Sequence, residues 1–393
     1  MFTSLTDGPL PYTDPWVAPI EARFRALRQP LPRVAWVYER PDTSTFRYRV
    51  FNMVEALAAD GRAAASWFTV PETPLLMRFL CELDVLVICR TRYDAMVARL
   101  LSAARANRVH VLFDCDDLVF DTRYVQLLVE TLDQDTAREA LWDDWFASMG
   151  RIEATMRHCD GGIATNSFLA DHLTTALGGR PTGIIPNFLN SRQQDISSLL
   201  LKVKRKRGFR GDGPVVVGYF SGTPSHNRDF EVAAPALARL LDDDPHVGVR
   251  IVGFLDRLGP LEKHRDRVEF VPLQDWINLQ RVIAEVEINI APLQENRFTN
   301  CKSELKFFEA AVVGTWTIAT PTHTFRAAIR DGLTGRLARA HEWDDALREG
   351  VALMRGRKNE FTERAEVAAA SVLEAYGWDR QADSILRSVG ILK

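Results

Sequence analysis

Long apolar runs are missing from this chain of 393 residues: no stretch approaches the ~20 residues that a membrane-crossing helix needs. The opening segment mixes Pro, Asp and Arg without an apolar signal-like region. A cytoplasmic protein, neither secreted nor membrane-spanning, is therefore expected. Cysteine is scarce: Cys81, Cys89, Cys115, Cys159 and Cys301 are odd in number and lack C-x-x-C spacing, which argues against both a disulfide framework and a zinc ribbon. Net charge is nearly absent as well, 49 basic against 52 acidic residues giving -3, so nothing draws the whole molecule to nucleic acid. Any polyanion site must be local. HExxH, Walker A and GxSxG motifs are also lacking, which leaves zinc protease, P-loop and serine hydrolase readings without support.

What is present is ordinary globular material, 46% hydrophobic and 26% charged, and a length that at roughly 100–200 residues per domain suggests two or three domains. From residue 33 short apolar runs alternate with longer amphipathic stretches. That pattern predicts an α/β fold of parallel sheets covered by helices. Strands are expected at Val34 to Tyr38, Ala64 to Phe68, Val85 to Cys89, Val109 to Phe113, Gly161 to Ala164 and Gly183 to Ile185. A second unit of the same kind starts with Val215 to Phe220 and continues through Val249 to Val252, Val268 to Val271, Ile288 to Pro292 and Thr317 to Ala319. Long helical regions are expected at Arg47 to Ala59 and Tyr124 to Arg157. Between the units, Asn190 to Gly213 turns polar, then basic (Lys202, Lys204, Arg205, Lys206, Arg207, Arg210), then glycine-rich. It reads as a linker.

The expected organisation is thus one Rossmann-like domain over 1–195, a basic linker over 196–212 and a second Rossmann-like domain over 213–375. A C-terminal helix over 376–393 is expected to pack back toward the first domain. Each Lys or Arg near anionic lipid contributes about 1 kcal/mol, so peripheral contact with the inner membrane is an expectation beside the solvated linker. Ligands of open α/β sheets bind beyond the carboxyl ends of the strands, which directs attention to a cleft between the units.

Strand VVVGYF runs into Ser221, Gly222, Thr223, Pro224, Ser225, His226, Asn227 and Arg228. Gly222 lets backbone approach a ligand, the hydroxyls of residues such as Thr223 supply donors, and Arg228 brings a fixed charge, parts that suit a phosphate. The competing reading is an ordinary capped strand-to-helix turn. After INIAP a polar loop leads to Lys302-Ser303-Glu304-Leu305-Lys306-Phe307-Phe308-Glu309. A helix from Ser303 would offer an anion site at its first turn, with Lys302 neutralising another phosphate oxygen. Positions 302, 306 and 309 share one helical face, placing Glu309 where ribose hydroxyls reach it; the alternative is a surface Lys-Glu face worth ~0.2–0.5 kcal/mol per pair.

KSELKFFEAAVVGTWTIAT, preceded by INIAPL and followed by FRAAIRDGLTGRLA, resembles the nucleotide-sugar domain of the retaining group 1 (family 4) glycosyltransferases of the GT-B fold. RYRVFNMVEAL, CDGGIATNSFLADHL and GIIPNFLN support the likeness in the first half, which spans about residues 33 to 380. The resemblance implies two Rossmann-like domains facing across a cleft, with 1–195 binding the acceptor and 213–375 the nucleotide sugar. It also implies sugar transfer, with retention, from a nucleotide-diphosphate donor to a glycan or lipid-linked glycan acceptor in bacterial surface polysaccharide assembly. No metal or other cofactor is expected. Glu309 matches the second glutamate of the family's E-x7-E motif, whereas Cys301 stands where the first is usual, leaving Lys302, Ser303 or a loop amide to hold the sugar. The donor set is expected to be Gly222, Thr223, His226, Arg228, Lys302, Ser303, Glu304 and Glu309.

In HVLFDCDDLVFD, Asp116 takes the place of the family's strand-end histidine, with Asp114 and Asp117 beside it. Clustered carboxylates repel and raise a pKa unless neutralised. Asp116, Asp117 and Lys302 are expected to act in catalysis, with Asp116 orienting or deprotonating the acceptor hydroxyl, and Arg47, Arg49 and Asp114 to bind acceptor. VLFDCDDLVFDT also resembles the aspartate motif of haloacid-dehalogenase-like phosphatases, with Asp114 as nucleophile and Asp116 as acid/base. A non-catalytic nucleotide-sugar-binding subunit is a third reading, motivated by Cys301.

Overall fold

The computed structural model describes residues 8–209, 213–356 and 358–392, apart from the side chains of Ser225 and Lys358; Arg210 of the basic run lies outside these. Two six-stranded sheets, parallel throughout, organise two lobes. Lobe 1 holds β1 (Arg33–Tyr38), β2 (Ala64–Thr69), β3 (Val85–Cys89), β4 (His110–Cys115), β5 (Gly161–Ala164) and β6 (Thr182–Ile184), in the order β2-β1-β3-β4-β5-β6. Lobe 2 holds β7 (Val215–Ser221), β8 (Val247–Gly253), β9 (Val268–Val271), β10 (Ile288–Ala291), β11 (Trp316–Ala319) and β12 (Arg336–Leu337), in the order β12-β11-β10-β7-β8-β9. Strand order reverses between β1 and β3 in one sheet and between β7 and β10 in the other. Those reversals open a crevice at the strand carboxyl ends, the usual ligand position in such sheets.

The strands are apolar because helices cover both faces; β3, β4, β7 and β10 are buried along nearly their whole length. One apolar core runs from the inner face of the first sheet into the second lobe, joining Trp36, Phe46 and Phe188 to Trp276, Phe308 and Phe325. Separate cores back each sheet on its outer side.

Three departures from expectation bear on the site. The predicted linker is a helix, Ser191–Lys206, capped by Asn190, whose side chain accepts from the Gln193 amide at 2.8 Å. Its buried positions Gln193, Ser197, Leu200, Leu201 and Lys204 recur at helical spacing but are mostly polar, which disguised the periodicity. Lys204 is not available to lipid: its Nζ donates to the Val286 carbonyl at 2.7 Å and to the Thr315 hydroxyl at 2.6 Å. The predicted helix from Arg47 opens as a π-turn, Arg47–Phe51, before the α-helix Asn52–Asp60, so that Arg47, Tyr48, Arg49 and Val50 are all buried in succession. Finally, the long region from Tyr124 divides into helices Val125–Thr131 and Glu139–Arg157. The loop between them holds Asp133 at φ +54° and reaches lobe 2. At the far end of the chain, helix Ala382–Ser388 lies against β6 and the helix Asn52–Asp60 of lobe 1.

Candidate active site

The cleft is lined from lobe 1 by the ends of β3 and β4. Arg90, at φ +42° just past β3, donates to Asp116 Oδ1 at 3.0 Å and lies 3.9 Å from Asp117; the Thr45 hydroxyl donates to Asp116 Oδ2 at 2.8 Å. Burial alone would raise the Asp116 carboxyl, but Arg90, Thr45 and Arg49 outweigh it and hold the group below the usual carboxylate range. Asp116 is therefore ionised and pinned. It is suited to accept a hydrogen bond from a hydroxyl and poorly suited to take its proton.

Lobe 2 answers with Lys302 and Lys306. Lys302 Nζ lies 3.5 Å from Asp117 Oδ1 and 4.4 Å over the Phe298 ring. Thus the expected catalytic trio Asp116, Asp117 and Lys302 does meet across the cleft, joined by Arg90. Lys306 Nζ donates to the Phe220 carbonyl at 2.9 Å and sits 5.0 Å over the Tyr219 ring, with no ion-pair partner among the described residues. Burial pushes its pKa down to about 8; Asp229 opposes the shift and Lys302 adds to it. Beside it, Gly222 is exposed just past β7, and a Cβ built there meets nothing within 4 Å. Thr223 is exposed next to it. His226 is largely buried, its Nδ1 2.9 Å from Asp229 Oδ2.

Other expected site residues are placed differently. Arg49 and Asp114 form a bidentate ion pair, at 2.8 and 3.0 Å, with both side chains 0% exposed. Arg49 also donates to the Ile185 carbonyl and to Asn187. Neither faces the cleft, which corrects their assignment to acceptor binding and removes Asp114 as a phosphatase nucleophile. Arg47 is buried too, donating to Gln193 and, at 3.4 Å, to Glu309, so it does not reach an acceptor either. Glu309 itself accepts from Arg47, from Gln193 at 3.1 Å and closely from the Tyr48 hydroxyl, all outside lobe 2's sheet. In this structure it joins the lobes instead of facing the crevice. Glu304 is buried against the C-terminal segment, accepting from the Tyr376 hydroxyl at 2.7 Å, so it is likewise withdrawn from the donor site. Ser303 accepts from Asn187 of lobe 1 at 3.1 Å. Arg228 turns to lobe 1, donating to Asp133 at 2.9 Å and to the Glu130 carbonyl. Arg257 grips the other oxygen of Asp133 at 2.8 Å.

Sequence reasoning missed Arg90, Thr45, Arg257 and Asp229 as members of the site, and named Lys306 only as a neighbour on a helical face. Lys306 carried a readable signal, three residues before Glu309 on one helix; that helix spans Leu305–Ala311 and does not start at Ser303 as expected, so Lys302 lies outside it in extended backbone after the short helix Arg297–Cys301. Arg90 and Thr45 are placed by tertiary structure and left no local mark. Among the described residues no three His, Cys, Asp or Glu side chains converge as metal ligands, and no helix is long and apolar enough to cross a membrane.

Residues 214–354 match the model of a family described as glycosyl transferases group 1. A D-inositol 3-phosphate glycosyltransferase of Mycobacterium leprae is 30% identical over 125 residues, 31% of this chain and 27% of the relative. One from Actinosynnema mirum is 27% identical over 207 residues, 48% of this chain and 47% of the relative. The chain thus matches from about a quarter to about half the length of these curated relatives. Among solved structures, HepE of Anabaena in complex with UDP and glucose superposes with a TM-score of 0.62 at 14% identity, over 92% of this chain and 100% of the other. WaaG, described as a glycosyltransferase involved in lipopolysaccharide biosynthesis, gives 0.60 at 13% identity, over 91% and 100%. At such identities the likeness concerns the fold, and that fold is GT-B. Both the GT-B fold and the resemblance to group 1 glycosyltransferases read from the sequence are borne out, the latter as a match of residues 214–354 to that family's model.

Proposed function

We propose that this protein is a glycosyltransferase that binds a nucleoside-diphosphate sugar at the carboxyl ends of β7 and β10 and transfers the sugar to an acceptor hydroxyl presented by lobe 1. The observation that carries this reading is the pair Lys302 and Lys306 beside the open backbone at Gly222, where among the described residues Lys306 has no ion-pair partner and Lys302 has one, Asp117 at 3.5 Å across the cleft. Such a site suits a polyanion with little rearrangement. Supporting it, the family match covers this lobe, and HepE, similar in fold, was crystallised with UDP and glucose.

In the reaction, the acceptor oxygen bonds to the anomeric carbon while the bond from that carbon to the diphosphate oxygen breaks. Negative charge grows on the leaving diphosphate. Preorganised cations beside it stabilise the transition state more than the ground state, as the lysine pair is placed to do. Asp116, held ionised by Arg90 and Thr45, orients the acceptor hydroxyl, and the leaving phosphate takes the proton. We infer retention of configuration from the resemblance to the retaining families, and turnover without metal because fixed cations already supply the counter-charge. The acceptor is a glycan or lipid-linked glycan, in keeping with the lipopolysaccharide role given to WaaG.

The test is transfer or slow donor hydrolysis across a panel of UDP, GDP and ADP sugars, in EDTA and in magnesium, with anomeric configuration read by proton NMR. One donor turned over in EDTA with retention is expected. Failure of every donor under both conditions, with or without bound nucleotide, would contradict the reading. A pH series adds a second check. Lys306 is protonated below about 8, so affinity for nucleoside diphosphate should fall as pH rises through that value, and the fall should be absent in Lys306→Met.

A further inference from the structure

We propose that His226 holds a hydroxyl of the donor's sugar, accepting its hydrogen bond at Nε2 and so taking over a task that Cys301 cannot perform. This rests on the nucleotide-sugar reading above. Where the group 1 resemblance expects a glutamate to touch the sugar, Cys301 is buried with 0% exposure, and its carbonyl is engaged by Asn166 of lobe 1 at 2.9 Å. The Cys301 side chain therefore offers the sugar no acceptor. Another side chain of lobe 2 can supply one.

His226 is built for one. Asp229, 2% exposed, faces His226 Nδ1 with Oδ2 at 2.9 Å, while its Oδ1 accepts from the backbone amide of Gln294 at 3.1 Å and from that residue's Nε2 at 3.2 Å. The Tyr219 hydroxyl donates to the His226 carbonyl at 3.1 Å, fixing the loop from beneath. An ionised carboxylate at Nδ1 keeps the proton there, which leaves Nε2 bare as an acceptor. No described residue bonds to Nε2, and the ring retains some exposure. The charged groups around it are Asp229 on its own segment and Lys302 and Lys306 from the other side of the crevice. Burial together with the two lysines lowers its pKa against the pull of Asp229, so the ring is neutral and able to accept near pH 7. Gln294 Nε2 also donates to the Thr131 carbonyl of lobe 1 at 2.9 Å. Closure of the lobes and orientation of the imidazole therefore share one amide.

The arrangement makes Asp229→Asn an unusually sharp variant. Gln294 presents two donors to Oδ1, so an asparagine keeps its oxygen there and turns its NH2 toward His226 Nδ1. Nδ1 must then accept, the proton moves to Nε2, and the acceptor becomes a donor.

The experiment measures calorimetric affinity of the full chain for UDP, UDP-glucose, UDP-N-acetylglucosamine, GDP and GDP-mannose, and takes the gain of each sugar nucleotide over its bare nucleotide. In the wild type one sugar should give a gain at pH 8 that weakens once pH falls below the ordinary histidine range, where an imidazolium can no longer accept from the hydroxyl. His226→Ala and Asp229→Asn should lose about tenfold of that gain at pH 8, each gain being taken against the same variant's own affinity for the bare nucleotide. His226→Gln, an acceptor that does not titrate, should keep part of the gain and show no acid limb. Nitrogen-15 NMR of the ring should report Nε2–H in Asp229→Asn. A gain unchanged in His226→Ala and Asp229→Asn would overturn the assignment, as would a wild type that binds a nucleotide but gains nothing from any sugar. A wild type that binds no nucleotide at all would instead sink the function on which it rests.

Discussion

Asp114 and Asp116, two residues apart at the end of β4, have opposite fates, and only their neighbours distinguish them. Burial pushes the Asp114 carboxyl up to about 6 against the pull of Arg49, whereas Arg90 and Thr45 hold Asp116 low at the cleft. Breaking a buried pair costs about 3–5 kcal/mol because one charge stays behind unpaired. Arg49→Ala should thus lose that much stability in urea unfolding; a loss under about 1 kcal/mol would contradict a structural role. Gly222 gives the reverse case. A Cβ there meets nothing and the backbone needs no left-handed φ, so Gly222→Val should unfold at the wild-type temperature while donor affinity drops at least tenfold. Wild-type affinity in that variant would mean no ligand approaches this backbone.

At the scale of elements, legibility followed the locality of the signal. β3, β5 and β9 fall on their predicted bounds because short apolar runs between polar stretches have few other uses in an α/β chain. The connecting helix Ser191–Lys206 was hidden because its inward face carries Gln193, Ser197 and Lys204. Lys204 offers a direct check. Burial depresses its pKa from the usual 10.5 to about 7, so between those values the unfolded chain binds the proton that the folded chain has released. Stability should therefore rise with pH across that window, by up to about 1.4 kcal/mol per unit, and Lys204→Met should flatten the slope. A wild-type slope in the variant would place the effect elsewhere. The loop after β7 and Lys302 after β10 could be singled out for the same reason as the strands: each lies within one short segment.

The whole molecule was less legible, since what joins the lobes is far apart in sequence. Glu309 meets Tyr48 across 261 positions and Arg228 meets Asp133 across 95, and no periodicity records such pairings. These contacts draw residues expected at a ligand toward the opposite lobe. The Arg228 and Arg257 grip on Asp133 is exposed, and pairs of that kind are worth about 1 kcal/mol or less, so it holds the lobes together weakly. Asp133→Lys would set three cations together at this seam. An enlarged radius of gyration in solution scattering, reversed by added diphosphate, is expected; a profile identical to wild type would mean the seam does not govern closure.

The most direct measurement is calorimetric titration of UDP and GDP into the wild type and into Lys302→Met/Lys306→Met. Charge-assisted hydrogen bonds contribute about 1.5–3 kcal/mol each, so the double variant should bind at least about 100-fold more weakly with its unfolding temperature preserved. Equal affinity in the two proteins, or a wild type that binds neither nucleotide, would contradict the account.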